Sequence, residues 1–242
     1  MSSSAPLPQA ARKDEIAHNL EVVRARIADA CSAAGRDPSE VTLTVVTKFF
    51  PASDVRLLAE LGVTDVGENR HQEAEQKARE CADLGLRWHF IGGLQSNKAA
   101  AVAAYADVVE SVDRAKLLKG LARGAQERGT VLDCLVQVSL DPPGAGKGRS
   151  GAEPEEVTAL AQQVGQTEGL RLRGVMAVAP LREEPTAAFA RLAQVAADVR
   201  RTDPSATWVS AGMSGDLEEA ISAGATHVRI GSAVLGRRPA IK

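Results

Sequence analysis

The chain has 242 residues, of which 44% are hydrophobic and 25% charged, as suits one soluble globular domain with a sizeable core. Its 29 Lys and Arg against 31 Asp and Glu leave a formal net charge of −2, which gives no electrostatic basis for binding nucleic acid or an anionic membrane surface. Cys31, Cys81 and Cys134 are odd in number and form no Cys-x-x-Cys pair, so a disulfide framework and a structural zinc site are not expected, and a reducing, cytoplasmic setting is.

The opening MSSSAPLPQA lacks the apolar core of a signal peptide, and no apolar run approaches membrane-spanning length. Residues 1–12 are expected to form a disordered tail and residues 13–242 a single domain. Asp14 to Ala34 predicts a helix, with Ile16, Leu20, Val23 and Ile27 at three- or four-residue spacing and Gly35 just past its end. Eight β-branched or apolar runs follow: Val41–Thr47, Thr64–Gly67, Arg87–Ile91, Asp107–Ser111, Val131–Val138, Leu172–Val178, Thr207–Ser210 and Thr226–Ile230. Helical stretches begin between them near Ala52, Arg70, Asn97, Arg114, Glu153, Thr186 and Ser214. Ser53 and Asp54 give the first of these capping chemistry, and Pro154 follows Glu153 in a first turn.

Eight strands alternating with seven helices predict a parallel sheet closed into a single (β/α)8 TIM barrel. The open doubly wound sheet is the alternative, disfavoured because no G-x-G-x-x-G follows the first strand. About a dozen residues remain after the eighth strand, so the extra N-terminal helix is expected to fill the place of a full-length eighth helix. The loop Asp141–Gly151, rich in glycine and proline, reads as a mobile βα loop and not as a linker.

Barrel function gathers at the C-terminal ends of the strands. After strands seven and eight, Ser210-Ala211-Gly212-Met213-Ser214-Gly215-Asp216 and Gly231-Ser232 would bring backbone N–H groups and hydroxyls together, as a phosphate requires; the plainer reading is two tight turns. Lys48 ends the first strand, where desolvation would favour an amine able to attack a carbonyl; alternatively it reaches solvent or pairs with Glu68. Arg229, inside the eighth strand, faces inward only with a partner such as a phosphate, a ring nitrogen or a carboxylate. Together these parts fit an aldehyde cofactor carrying a phosphate and a pyridine ring. They also fit a phosphosugar aldolase or isomerase with Lys48 as its Schiff base.

The segments VVTKFFP, VGENRHQEAEQK, WHFIGGLQSNK, LRGVMAVAP and SAGMSGDLEEAISAGATHVRIGSAVLG, spread over Val41 to Gly236, resemble the pyridoxal phosphate homeostasis protein family, itself similar to the barrel domain of alanine racemase. The resemblance implies pyridoxal 5′-phosphate held as a Schiff base on Lys48. Ser210, Gly212, Ser214, Gly231 and Ser232 would surround its phosphate, Arg229 would face the pyridine nitrogen, and Asn69 would lie near the ring. It further implies a carrier or regulator of the cofactor, with pyridoxal-phosphate-dependent apo-enzymes as recipients; a slow amino-acid racemase or a Schiff-base aldolase is the alternative. Racemases of the related fold use a tyrosine from a second domain, whereas this chain ends at Lys242 with one tyrosine, Tyr105, so a non-enzymatic monomer is expected. The family's Lys-x-Gly after strand five has Lys147 or Arg149 as its candidate here, and Phe49-Phe50 replaces a more polar stretch.

The remaining candidates read as structural. His18, His71, His89 and His227 show no metal spacing and no adjacent carboxylate, and His89 reads as a packed strand residue. The helix carrying Glu73, Glu75 and Lys77 reads as a solvated face, and Trp88 and Trp208 as packing between barrel and helices. Gln95, Asn97 and Lys98 either line the mouth or begin a helix.

Overall fold

The computed structural model describes residues 9–141 and 150–237. Lys147 and Arg149 lie outside them, as does most of the loop in which they stand. Strands β1 (Thr42–Val46), β2 (Asp65–Glu68), β3 (Arg87–Phe90), β4 (Val108–Val112), β5 (Leu132–Gln137), β6 (Leu170–Met176), β7 (Trp208–Ser210) and β8 (His227–Ile230) pair in sequence order and close into a parallel barrel, β8 against β1. The helices are α1 (Gln9–Ala33), α2 (Ala52–Glu60), α3 (His71–Glu80), α4 (Ala99–Ala103), α5 (Leu118–Arg128), α6 (Pro154–Gln166), α7 (Pro185–Thr202), α8 (Leu217–Ser222) and α9 (Ser232–Leu235). The expected barrel is the observed one. The largest strand shift is β6, which begins at Leu170 because the left-handed Gly169 turns the chain into the sheet early.

Two features of the N-terminal region differ from expectation. Helix α1 starts at Gln9, so residues 9–12, assigned to a tail, are helical. The cause is tertiary: Arg12 binds Asp54 and Glu15 at 2.7 Å each and the Leu235 carbonyl at 2.9 Å. The same bond takes Asp54 away from capping; α2 begins after Pro51 with no side-chain cap. Helix α1 buries Ile16, Leu20, Val23 and Ile27 in a cluster with residues of α2, α8 and α9, and so occupies the space left by a short α9.

The barrel interior departs from the usual layers of branched apolar side chains. Its apolar part is small: Val108, Leu135 and Met176, with Val178 and Trp208 against them. Trp208 therefore faces inward, contrary to the sequence reading, while Trp88 does pack in the helix layer. Near the N-terminal ends of the strands the buried Asp133 carboxylate pairs with Arg87, Arg171 and, at 3.9 Å, Arg173. Two of these guanidiniums lie over the Trp208 ring, Arg87 at 4.7 Å and Arg173 at 4.2 Å from its centroid, and the His227 ring is 4.3 Å away.

Outside the barrel, α4 and α5 approach closely because α5 presents Gly120 and Gly124 to the alanines of α4. A Cβ on Gly124 would lie 2.3 Å from the Ala100 carbonyl oxygen and 2.8 Å from the Ala103 Cβ. Helix propensity alone would make Gly124→Ala stabilising by about 1 kcal/mol. Overpacking costs about 1–3 kcal/mol and should dominate, because the obstacle is backbone. Urea unfolding of Gly124→Ala is expected to show lower stability than wild type; a more stable variant would mean that the α4–α5 contact yields.

Candidate functional site

Four adjacent strands, β7, β8, β1 and β2, bring the candidate residues to one side of the C-terminal rim. In the β1–β8 ladder Val45 stands opposite Ile230, which sets Gly231 and Ser232 beside Val46 and Thr47. In the β1–β2 ladder Val46 stands opposite Gly67, which sets Lys48 beside Asn69. Gly212 lies next to β8 through a 2.9 Å bond from the Arg229 N–H to its carbonyl. These are close backbone approaches. A Cβ on Gly231 would lie 3.3 Å from the Val46 carbonyl oxygen, and one on Gly212, at φ 93°, 2.7 Å from the Ala220 Cβ. Ser214 and Ser232 are partly or fully exposed at this rim. A cavity of about 210 Å³ lined by Ile91, Gly93, Gln137, Ser139, Asp141 and Val178 among others opens on the β3–β6 side of the mouth. A larger one, about 610 Å³, lies by Arg87, Trp88, Asp107 and Arg128 at the opposite strand ends.

Helix α1 braces this rim from outside. Arg26 pairs with Glu218 at 2.9 Å and donates at 3.2 Å to the Ser214 carbonyl, and Asn19 donates at 3.0 Å to the Val234 carbonyl. The turn after β7 and the short helix α9 after β8 are thus tied to one helix.

Lys48 is half-buried and occupies the second position of a tight turn closed by a 3.0 Å bond from the Phe50 N–H to the Thr47 carbonyl. Phe49, in the third position, has φ 72°, a conformation that favours glycine or asparagine. The turn is held by a buried ion network. The Lys77 ammonium donates to the Thr47 carbonyl, Glu68 and Glu73, each at 2.7 Å. Glu73 accepts the Phe49 N–H, and Glu68 accepts the Thr47 hydroxyl at 2.6 Å. Burial raises the Glu68 carboxyl above its ordinary value, against the pull of Lys77 and Thr47. Glu68 is therefore the partner of Lys77. The sequence reading of the Glu73–Lys77 face as solvated is corrected, since Lys77 is buried beneath the Lys48 turn.

Below the rim, charged groups from β2, β3, β4 and β8 and the Ser210 hydroxyl of β7 form a chain. Both ring nitrogens of His89 face carboxylate oxygens, Asp65 at 2.9 Å and Glu110 at 2.7 Å. Carboxylates only accept, so both nitrogens carry protons and the ring is a cation. Burial opposes that charge, but the bonds to Asp65 and Glu110 outweigh it and raise the His89 pKa. Ser210 donates to Glu110 at 2.6 Å and accepts from Arg229 at 2.6 Å, and Arg229 donates again to the Ala177 carbonyl at 2.8 Å. Burial alone would raise the Glu110 carboxyl, yet the bond and charge of His89, with Arg229 and Ser210, take it down to about 2. Asp65, Glu110, His89 and Arg229 balance to zero net charge, which makes burying them tolerable.

The alanine racemase N-terminal domain family matches residues 12–239. A pyridoxal phosphate homeostasis protein of Pseudomonas aeruginosa is 44% identical, covering 92% of this chain and 96% of the relative. One from Mycobacterium bovis is 42% identical over 94% of both chains. The chain belongs to the pyridoxal phosphate homeostasis protein family. Among solved structures, PipY of Synechococcus elongatus PCC7942, with PLP bound, superposes with a TM-score of 0.78 at 34% identity, over 91% of this chain and 100% of that one. A Clostridium difficile alanine racemase, 14% identical at a TM-score of 0.70, shares the fold over 58% of its length.

In this family member the structure gathers Lys48, Asn69, Gly212, Ser214, Gly231 and Ser232 at the rim and sets Ser210 and Arg229 one layer deeper. Ser210 has no exposed surface, and its hydroxyl is committed to Glu110 and Arg229. Asn69 packs against Gly92, where a Cβ would lie 2.7 Å from the amide oxygen. Tyr105 is not at the mouth: it packs in the helix layer, stacked on His71 at 5.9 Å. Sequence reasoning missed Glu110, Asp65 and Lys77, because their partners lie on other strands or in a loop. The one available signal was a carboxylate in each of two apolar runs, Thr64–Gly67 and Asp107–Ser111.

His227 provides a test of interior electrostatics. Burial lowers its pKa from near 6.5 to about 4, so the neutral ring stabilises the fold above pH 6.5 and that contribution is lost as pH falls toward 4. The loss amounts to about 3 kcal/mol. Denaturant unfolding over this range should show a steeper pH dependence for wild type than for His227→Gln; equal slopes would remove His227 as the source.

Proposed function

We propose that the protein binds pyridoxal 5′-phosphate through Lys48 and serves as a carrier or regulator of the cytoplasmic pool of that cofactor. The observation that carries this reading is the placement of Lys48, the glycine turns after β7 and β8, and the buried Arg229 on contiguous strands of one rim. The residues fit the group. Gly212 and Gly231 let the turns after β7 and β8 pack close against α8 and β1, and their backbone N–H groups with the Ser214 and Ser232 hydroxyls could surround a phosphate. The Arg229 guanidinium, locked by Ser210 and the Ala177 carbonyl, is a fixed donor toward a ring nitrogen.

When bound, the cofactor supplies an aldehyde and an electron-withdrawing ring. Lys48 would hold the cofactor through its amine, the group able to take up an aldehyde. Arg229 would act against strong carbanion chemistry: a guanidinium donating to the ring nitrogen would leave that nitrogen unprotonated and weaken the electron sink. The position of Tyr105 in the helix layer leaves the rim without a tyrosine acid or base, which favours holding the cofactor over racemisation. The protein would act as a monomer and pass its cargo to pyridoxal-phosphate-dependent apo-enzymes.

Purified protein mixed with pyridoxal phosphate should develop a near-visible absorbance band that borohydride fixes covalently, with the label mapping to Lys48 and lost in Lys48→Ala. Label scattered over surface lysines would overturn the reading. Turnover of any amino acid at a rate dependent on Lys48 would replace the carrier by an enzyme.

A further inference from the structure

The Lys48 turn is built against its own backbone preference. Phe49 sits at φ 72° without the freedom of glycine, a conformation that persists only where the surroundings hold it. The surroundings here are specific. The Thr47 carbonyl, just before Lys48, accepts from the Lys77 ammonium, and the Phe49 N–H, just after Lys48, donates to Glu73, itself paired to Lys77 at 2.7 Å. Glu68 closes the arrangement by binding both Lys77 and the Thr47 hydroxyl. The three charged groups come from the end of β2 and one face of α3, so the turn after β1 is referenced to two neighbouring elements and not to its own sequence.

Burial shows how much is invested. Lys77 has 6% and Glu68 1% of its surface exposed, and Glu68 Oε2 has no partner among the described residues. A lysine at this depth, with carboxylates on two sides and a peptide carbonyl on the third, has all three of its N–H bonds committed. A solvated helix face would have served α3 at less desolvation cost. We propose that Lys77, with Glu68 and Glu73, is a positioning device that fixes the Lys48 amine at the rim for capture of the aldehyde. The inference rests on the cofactor reading above. Lys77 does not touch the cofactor; it acts through the two peptide groups that flank Lys48.

A positioning role separates from a structural one by comparing two ligands. Pyridoxine 5′-phosphate has an alcohol in place of the aldehyde and reports the phosphate and ring contacts alone, whereas pyridoxal phosphate also reports Lys48. In Lys77→Met the rate of borohydride-trappable adduct formation at Lys48 is expected to fall between about tenfold and a hundredfold, with pyridoxine 5′-phosphate affinity unchanged. Should Lys77→Met fail to fold, Glu73→Ala removes the Phe49 N–H acceptor from a partly exposed position and is expected to show the same split at smaller size. Wild-type capture rates in a folded variant would overturn the proposal. So would an equal loss of both ligands, which would mean a structural role only. Absence of a Lys48 adduct in the wild-type protein would overturn the cofactor reading, and this inference with it; a wild-type adduct with unaffected variants would overturn the inference alone.

Discussion

Glu110 is the group on which the barrel interior depends. One of its oxygens binds the His89 cation, the other accepts from Ser210, and Arg229 lies 3.8 Å away. Charge inside a barrel is expensive unless every member is paired, and here each carboxylate meets a cation while the Ser210 hydroxyl links the two halves of the chain. Removing one partner would leave the others buried and unbalanced. The chain therefore fixes Arg229 by geometry and charge together, and places a guanidinium just beneath the rim.

The same logic recurs one layer out. Lys48 and Lys77 are the two lysines close to the ends of β1 and β2, and the fold gives them opposite environments. Lys77 is sunk between Glu68 and Glu73, with its charge spent on holding a turn, while Lys48 is half-buried at the rim. Helix α1 completes the frame from the far side through Arg26 and Asn19, which tie down the turn after β7 and the helix α9 after β8. A barrel whose last helix is the four-residue α9 would otherwise leave both with little behind them.

The periodicity of the sequence carried the architecture. Alternating apolar strands and amphipathic helices have few competing folds, and the strand positions follow because each run buries at least one face. The places of Lys48, Gly212 and Gly231 at strand ends and of Arg229 inside a strand were legible as well, since cations and glycines there are local anomalies in apolar runs. The helical state of residues 9–12, the inward face of Trp208 and the burial of Lys77 were not legible. Each depends on a partner distant in sequence: Leu235 for Arg12, Arg87 and Arg173 for Trp208, Thr47 for Lys77.

By itself, then, the sequence determined that the chain is a (β/α)8 barrel with an added N-terminal helix, and which polar residues and glycines stand at its strand ends. Only the tertiary structure decided which charges neutralise one another. Strand periodicity tells which face a residue takes but not what stands opposite, because opposition is set by the register between strands. That register sets His89 between Asp65 and Glu110, and the packing of α3 on β1 and β2 sets Lys77 beneath Thr47, which no reading along the chain can supply.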